Sequence, residues 1–366
     1  MDWSDQQKDA IERVSAWHKA GDQQVLRVFG YAGTGKTTLA RHFADSVDGR
    51  TQFAAFTGKA AIVMRKNGCH GASTIHRLIY RAETDEETGE AMFKLDSNGT
   101  AKDAALIVVD ECSMVDEAIG KDLMSFGVPI LVLGDPAQLP PVSGGGFFTA
   151  AEPDIMLTQI HRQAESNPIV HLATQVRRGE MPDYGSYGQS AVIPKSEIDS
   201  TRVMEADQIL VGTNRSRHAY NMRLRELLGH EDALPVEGDR VVCIRNDRTK
   251  KIFNGGLFDV VRSHTHPEKE DCLRLTLASE DFPTRSALTV TVREEFFSGG
   301  AEEIDWKEIR GQQQFNYGYA LTVHKAQGSQ WNDVVLFDES RVFREDRMRW
   351  LYTGITRASE RITVVR

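Results

Sequence analysis

The sequence predicts an α/β protein built on parallel β-sheets. Three short apolar runs are each followed at once by glycine or aspartate: Gln24–Phe29, Ala105–Val109 and Val128–Leu133. Continuous apolar strands that alternate with helical segments are typical of parallel sheets covered on both faces. Ligands of such sheets bind at the carboxyl ends of the strands, and Gly30, Asp110 and Asp135 fall at these ends.

The length of 366 residues suffices for two α/β domains with small insertions. No apolar run approaches the roughly 20 residues that a membrane span needs. The first five residues are acidic and polar, which disfavours a secretory signal. Four scattered cysteines without a CxxC pair predict neither a zinc site nor a disulfide framework, so a reducing cytosol fits. A net charge of −9 argues against coating nucleic acid by bulk attraction, but it allows a local basic channel.

The segment Gly30–Thr37, with the letters GYAGTGKT, matches the phosphate-binding loop GxxxxGK[ST]. It follows a predicted strand and opens a predicted helix, which is the context that the motif requires. The glycines let backbone N–H groups surround phosphates, and the helix dipole adds to the attraction. We therefore expect Lys36 to reach the β- and γ-phosphates of ATP and the Thr37 hydroxyl to bind Mg²⁺.

Asp110 and Glu111 follow the second apolar run. Two acids at this point are often a simple strand exit, but beside a phosphate loop they predict the second half of an ATPase site. We expect Asp110 to hold Mg²⁺ and Glu111 to be the general base that deprotonates the attacking water. Gln138 follows the third run and could sense the γ-phosphate, because an amide both donates and accepts hydrogen bonds.

Two segments predict insertions into this framework. Residues 81–104 are rich in Glu, Asp, Gly and Asn, which fits either a solvated loop or a small hairpin. Residues 256–314 contain the alternating stretches Leu273–Leu277 and Leu288–Val292, which indicate a small β-barrel. The predicted domains are residues 1–165, carrying the 81–104 insertion, and residues 166–255 with 315–366, carrying the barrel at 256–314.

Several further segments, in family order from about residue 4 to the C-terminus, resemble the motifs of superfamily-1 DNA helicases of the RecD-like and Dda-like branch. They are 4–10, 57–61, 73–76, 157–163, 238–241, 254–255, 320–329 and 351–358. The short 81–104 segment makes the chain similar to the compact phage-type members. The resemblance implies two RecA-like ATPase folds, an SH3-like barrel in the second, and 5′→3′ movement on single-stranded DNA. It also implies a cytoplasmic setting in a bacterial cell or phage-infected host.

The resemblance assigns roles residue by residue. Gln7 is implied as the adenine-reading glutamine, Arg162 as an arginine directed to the γ-phosphate, and Arg357 as the arginine finger. The late motif, with Gly328, is implied to touch both DNA and nucleotide. The predicted catalytic residues are Lys36, Asp110, Glu111, Gln138, Arg162 and Arg357. The predicted nucleotide-binding residues are Gln7, Gly30, Tyr31, Ala32, Gly33, Thr34, Gly35, Lys36, Thr37, Thr38, Gln138, Arg162, Gly328 and Arg357.

A second set of residues is predicted to hold the DNA strand through phosphate contacts and stacked bases. Its members are Thr57, Lys59, Thr74, His76, Phe93, Asn214, Thr322, His324 and Lys325. Phe93 is interpreted as a wedge on the 81–104 hairpin, although it could instead anchor that segment to its own domain. For the other members the alternative is a capping or packing role inside the fold.

Together these features predict an ATP- and Mg²⁺-dependent DNA helicase that acts as a monomer in DNA replication, recombination or repair. ATP is expected to bind in the cleft between the two RecA-like domains. The expected partners are single-stranded DNA, single-strand/duplex junctions and possible single-strand-binding, replication or recombination proteins, with no membrane. Three alternatives stay open: a translocase that strips proteins from single strands, an RNA-acting helicase, and a binding module with a vestigial nucleotide site. Phosphate contacts alone do not separate DNA from RNA.

Overall fold

A computed structural model describes residues 3–84, 91–140, 146–160, 166–247, 250, 252–299, 304, 309 and 312–366. Its α-helices, numbered α1 to α10, are Asp5–Ala20, Lys36–Asp45, Gly58–Lys66, Ile75–Ile79, Glu117–Met124, Pro168–Arg177, Ser200–Glu205, Asn214–Leu227, Glu295–Ser298 and Arg347–Ile355. Its strands, numbered β1 to β19, are Val25–Gly30, Thr51–Ala55, Ser73–Thr74, Tyr80–Thr84, Ala91–Leu95, Leu106–Asp110, Ile130–Gly134, Ile155–Leu157, Gly185–Tyr187, Ser190–Ile193, Gln208–Val211, Arg240–Cys243, Leu257–Thr265, Cys272–Ser279, Leu288–Arg293, Phe315–Tyr317, Ala320–Thr322, Trp331–Phe337 and Ala358–Val365.

The chain divides into two compact units. Unit 1 comprises Met1–Asp183, Gly328–Gln330 and Glu345–Thr356. Unit 2 comprises Tyr184–Gln327, Trp331–Arg344 and Arg357–Arg366. Helix α10, which lies near the C-terminus, therefore belongs to unit 1 by its contacts. The domain boundaries expected from the sequence placed this helix with the second half of the chain, and those boundaries stay a prediction.

Unit 1 is built on a six-stranded parallel sheet in the order β3-β2-β6-β7-β1-β8. Successive residues of each central strand point to opposite faces of the sheet and pack into different hydrophobic cores. Leu106 and Val108 pack with helices α1 to α3, while Ile107 and Val109 pack with α4 and α5. Burial on both faces is the reason that these strands are continuous apolar runs in the sequence.

The segment 81–104 contains an antiparallel pair, β4 with β5, in which Ala82 lies opposite Phe93. The Tyr80 hydroxyl, at the base of this pair, donates to Asp122 Oδ2 at 2.5 Å and so ties it to α5. Phe93 is 54% exposed. Residues 85–90, between the two strands, lie outside the described part of the chain.

Unit 2 contains a second six-stranded sheet in the order β17-β11-β18-β19-β10-β9, parallel except at the β9 edge. A separate five-stranded antiparallel sheet has the order β15-β14-β13-β12-β16, and two of its strands lie outside residues 256–314. Gln313 N donates to Thr291 O at 3.2 Å, which brings the two edges of this sheet together. An SH3-like barrel is a finer description that stays a prediction.

A buried ionic cluster joins helix α8 to the antiparallel sheet of unit 2. Asp239 is fully buried and accepts hydrogen bonds from Arg225, His230, Tyr319 and the Val236 backbone N–H. A buried carboxylate is tolerable when its lone pairs are filled in this way. Although burial opposes ionisation, these donors hold the pKa of Asp239 below its usual value. The cluster therefore holds helix α8 against the antiparallel sheet of unit 2.

Candidate functional site

The phosphate loop lies at the carboxyl end of β1, between that strand and α2. Gly33 and Gly35 have φ values of 80° and 79°, which favour glycine. At Gly30 the reason for glycine is space, because a Cβ there would stand 2.8 Å from the Leu157 Cβ of the neighbouring strand. No side chain caps the start of α2 at Gly35 among the described residues. These backbone N–H groups can therefore serve an anion.

Lys36 and Thr37 open helix α2. Lys36 Nζ donates to Gly30 O at 2.7 Å and to Tyr31 O at 3.1 Å, so the ammonium lies within the loop. Thr37 Oγ1 donates to Asp110 Oδ2 at 2.9 Å. This bond joins the start of α2 to the end of β6.

The hydroxyl of Thr37 and the carboxylate of Asp110 fit a magnesium site. Both supply hard oxygen atoms, and Mg²⁺ bound with a nucleotide takes one or two such protein ligands plus phosphate oxygens. Among the described residues no group of three or more His, Cys, Asp or Glu side chains lies together as a ready-made metal site.

Glu111 follows β6 directly and has a φ of 52°, the left-handed conformation that non-glycine residues seldom adopt. Its backbone N–H donates to Asp110 Oδ1 at 2.8 Å. One carboxylate therefore holds both Thr37 and the turn that carries Glu111. Strained backbone of this kind is concentrated at functional sites, which supports a catalytic role for Glu111.

Gln138 lies in the turn after β7. Its backbone N–H donates to Asp135 O at 3.2 Å. Its side-chain Oε1 is buried and has no hydrogen-bond partner within the described parts of the chain. A buried polar atom without a partner is costly, so it favours a ligand or water at this position. This supports the predicted contact of Gln138 with the attacking water or the γ-phosphate.

Gln7 touches the phosphate loop from helix α1. Its Nε2 donates to Thr34 O at 3.0 Å, and its Oε1 accepts from Ser4 N at 3.0 Å. Ser4 and Gln7 form a capping box at the start of α1, and Gln7 is 3% exposed. The structure thus gives Gln7 a role in supporting the loop, and adenine reading stays a prediction.

The remaining predicted nucleotide residues are distributed over both units. Gly328, in unit 1, has a φ of 71°, and a Cβ there would stand 2.9 Å from the Ala60 Cβ. Thr38 is the third residue of α2. Arg357 belongs to unit 2 and is 4% exposed. Arg162 lies outside the described residues, so its predicted role is not tested.

Family models match most of the chain. The model described as "AAA domain" matches residues 2–196, and the model described as "UvrD-like helicase C-terminal domain" matches residues 317–365. The chain belongs to the RecD-like superfamily-1 helicases. The resemblance inferred from the motifs is therefore confirmed at the level of the family.

Relatives of this helicase chain agree with that placement. It is 30% identical to an ATP-dependent RecD2 DNA helicase from Deinococcus radiodurans, over 96% of this chain and 48% of that protein. It is 24% identical to the RecBCD enzyme subunit RecD of Mycolicibacterium smegmatis, over 97% of this chain and 70% of that protein. The chain thus spans about half the length of the Deinococcus relative. A Bacteroides Pif1 helicase crystallised with ADP-AlF3 and ssDNA has the same fold, with a TM-score of 0.58 at 17% identity, covering 99% and 92% of the two chains.

In this helicase chain, the hydroxyls predicted to touch DNA in unit 1 are engaged as helix caps. Thr57 Oγ1 accepts from Ala60 N at 3.1 Å, and Thr74 Oγ1 accepts from Arg77 N at 3.2 Å. Lys59 is 8% exposed, and the His76 ring lies 6.1 Å from that of Phe56. Capping was the alternative that the sequence left open, and it does not exclude a contact with DNA.

The predicted DNA contacts of unit 2 surround the start of helix α8 and the end of β17. Asn214 is the first residue of α8, and Thr322 Oγ1 accepts from Lys325 N at 3.3 Å. The His324 ring lies 5.2 Å from that of Phe343. Burial and the nearby Arg217 lower the pKa of Lys325 to about 8, although the side chain keeps an exposed surface. Arg217 Nε and Nη1 are buried with no hydrogen-bond partner in the described regions.

Three residues at these sites were not found by sequence reasoning. Tyr352 bonds the phosphate loop, Arg177 lies over the Tyr31 ring at 3.6 Å, and Glu339 caps the turn before α8. Tyr352 lies inside a recognised motif, but no spacing in the sequence indicates a partner 320 positions away. Glu339 and Arg177 carry no local signal, because acids after strands and basic residues at helix ends are common.

Proposed function

We propose that the chain is an ATP-dependent motor that moves 5′→3′ along single-stranded DNA and separates duplex ahead of it. The observation that carries the ATPase part is the convergence of Lys36, Thr37 and Asp110 at one sheet edge, with the Thr37 hydroxyl 2.9 Å from the Asp110 carboxylate. The direction of movement rests on the RecD-like resemblance of the motifs.

The chemistry follows from the groups at this edge. Water attacks the γ-phosphorus, the new P–O bond forms as the bond to the β,γ-bridging oxygen breaks, and Glu111 takes the proton of the water. Lys36 and the helix dipole of α2 stabilise the charge on the phosphates. Gln138 orients the water, and Arg357 and Arg162 are the proposed arginines. When bound, Mg²⁺ would neutralise phosphate charge beside Thr37 and Asp110.

The nucleic-acid part is supported by the cations of unit 2. Arg217 lies near enough to Lys325 to help lower its pKa, and two donor atoms of Arg217 have no hydrogen-bond partner among the residues that the structure describes. Unsatisfied donor atoms on a cation such as Arg217 favour a phosphate, and phosphate contacts give little sequence preference. Pif1 helicases of the same fold unwind DNA at forked dsDNA and form a complex with ssDNA, which supports the same class of substrate here.

The test is an unwinding assay on four matched duplexes, with 5′ or 3′ single-stranded tails, each in DNA and in RNA. We expect ATP-dependent separation of the 5′-tailed DNA duplex and little of the others. The Lys36→Ala variant is the matched control for unwinding without hydrolysis. Unwinding from 3′ tails would contradict the direction. DNA-stimulated hydrolysis without strand separation would favour a protein-stripping translocase, and preference for the RNA duplex would favour an RNA helicase.

A further inference from the structure

One peptide unit of the phosphate loop, between Tyr31 and Ala32, is held from both sides. Its carbonyl, Tyr31 O, accepts from Lys36 Nζ at 3.1 Å and from Thr34 Oγ1 at 2.8 Å. Its N–H, on Ala32, donates to the Tyr352 hydroxyl at 2.8 Å. The peptide that holds Lys36 is therefore itself fixed by a side chain from α10.

The Tyr352 hydroxyl also links this peptide to the end of β7. It donates to Asp135 Oδ2 at 2.7 Å, while Asp135 Oδ1 accepts from Ala137 N at 3.0 Å. Tyr352 and Asp135 are 2% and 5% exposed. Burial and the Asp135 carboxylate keep the pKa of Tyr352 far above its usual value, so the phenol remains a donor at any ordinary pH. The phosphate loop and the turn carrying Gln138 are thus joined through one oxygen atom.

Helices α6 and α10 hold Tyr352 in this position. They pack together, and the Arg177 guanidinium of α6 lies 3.6 Å from the centre of the Tyr31 ring. The next residue along α10, Thr353, accepts from Leu139 N at 2.9 Å and donates to Arg349 O at 2.7 Å. Adjacent residues of α10 therefore make two separate anchors, of which the Tyr352 anchor reaches the phosphate loop.

We propose that Tyr352 is a positioning residue for ATP, whose hydroxyl fixes the phosphate loop in the form that binds nucleotide. The inference rests on the proposed function, because it requires ATP to bind at this loop. Without the hydroxyl, the half-buried Ala32 N–H and a buried Asp135 oxygen both lose a partner, and a lost partner at a buried polar atom costs more than one at an exposed atom. Part of the free energy of nucleotide binding is then used to order the loop, so the substitution weakens nucleotide affinity more than it slows the chemical step.

The experiment compares Tyr352→Phe with Thr353→Val, each in the full chain. Both remove one buried hydroxyl from α10, but the Thr353 hydroxyl bonds Leu139 N and Arg349 O, whereas the Tyr352 hydroxyl bonds the phosphate loop. We measure the equilibrium Kd for a fluorescent ADP with Mg²⁺, the kcat and KM of DNA-stimulated ATP hydrolysis, and the Tm. Tyr352→Phe should raise Kd and KM roughly tenfold, with a smaller change in kcat. The reason is that the variant loses the hydrogen bonds of the hydroxyl with Ala32 N and the Asp135 carboxylate. Thr353→Val should lower the Tm similarly but leave the Kd within about twofold.

A double-mutant cycle with Asp135→Asn separates positioning from general loss of stability. If Tyr352 acts through Asp135, the effects of the two substitutions on Kd should be less than additive. Additive effects, a wild-type Kd in Tyr352→Phe, or equal weakening by Thr353→Val would each overturn the inference. A wild-type chain that neither binds nor hydrolyses ATP would instead contradict the proposed function, so the two failures are distinguishable.

Discussion

In each unit a strand of the parallel sheet leads through a turn into a helix. The two turns differ in whether a side chain of the protein accepts hydrogen bonds from their backbone N–H groups. In unit 1, β1 leads through the phosphate loop to α2, whose first turn has no side-chain cap among the described residues. In unit 2, β11 leads through Gly212 and Thr213 to α8. There Glu339 Oε2 accepts from Gly212 N at 2.6 Å and from Thr213 N at 3.1 Å, and Glu339 Oε1 accepts from Ser216 Oγ at 2.5 Å.

The difference teaches that the sheet does not decide which unit binds nucleotide. In unit 2 a carboxylate of the chain itself occupies the N–H groups that could serve a phosphate. A Cβ on Gly212 would stand 2.7 Å from the Glu339 Cβ, so the turn is closed around this side chain. We infer that unit 1 is the nucleotide-binding unit, while unit 2 contributes cations such as Arg217 and Lys325 to the nucleic acid.

Replacing Lys36 should have the largest effect. Lys36→Ala removes the cation of the phosphate loop, and we expect ATP hydrolysis to be abolished while the Tm stays near that of the wild type. The matched control is Glu339→Gln in unit 2, which should change the Tm and leave ATP affinity unaltered. Turnover near the wild-type rate in Lys36→Ala would contradict the assignment of the nucleotide site to unit 1.

Replacing Glu111 should slow the chemistry without preventing binding. Glu111→Gln keeps the shape of the side chain but cannot accept the proton of the water. We expect ATP affinity to be retained and hydrolysis to fall by about 10²–10⁴-fold. Single-turnover hydrolysis and equilibrium ATP binding measure the two effects. A variant that loses ATP binding would indicate that Glu111 is a structural residue or a metal ligand.

The hairpin of unit 1 tests whether this unit also touches duplex DNA. Phe93 is 54% exposed on β5, and its roles as a wedge or as an anchor both stay predictions. Because an aromatic side chain can stack on a base with about 1–3 kcal/mol, Phe93→Ala should impair unwinding several-fold and leave single-strand-stimulated hydrolysis and the Tm nearly unchanged. Tyr184→Ala, at a 58% exposed aromatic of unit 2, is the control. A joint fall of Tm and both activities would instead assign Phe93 as an anchor.

The smallest effect concerns the charge of Lys325. Its pKa is lowered to about 8, by burial first and by Arg217 second. The protonated form binds phosphate, so raising the pH from 7 to 9 at constant salt should weaken single-strand binding a few-fold. Lys325→Arg stays charged over this range and should flatten the pH dependence. An unchanged slope in Lys325→Arg would show that another group titrates.

Much of the framework could be predicted from local sequence patterns. The buried strands β1, β6 and β7 are continuous apolar runs, so the sequence predicts both that these strands exist and that the residues after them lie at the carboxyl edge of a sheet. The start of helix α8 could not be predicted in this way, because Thr213 and Glu339 cap a polar first turn that carries no apolar pattern. The phosphate loop, Asp110 and Glu111 were found because each follows a strand directly.

Long-range contacts could not be predicted in the same way. The bond of Tyr352 to Ala32 and Asp135, and the place of α10 in unit 1, depend on packing between segments some 200 to 320 residues apart. Gln7 illustrates the same limit, since its motif suggests a base contact while its amide supports the loop at Thr34. Motifs identify the residues of a site, but the partners of each side chain are set by tertiary structure.

The stoichiometry of nucleotide binding tests the contrast between the two units most directly. Equilibrium dialysis with a non-hydrolysable ATP analogue and Mg²⁺ should give one nucleotide per chain in the wild type, the same value in Glu339→Gln, and strongly weakened binding in Lys36→Ala. Two nucleotides per wild-type chain, or binding that survives in Lys36→Ala at wild-type affinity, would contradict the assignment of the one nucleotide site to the phosphate loop of unit 1.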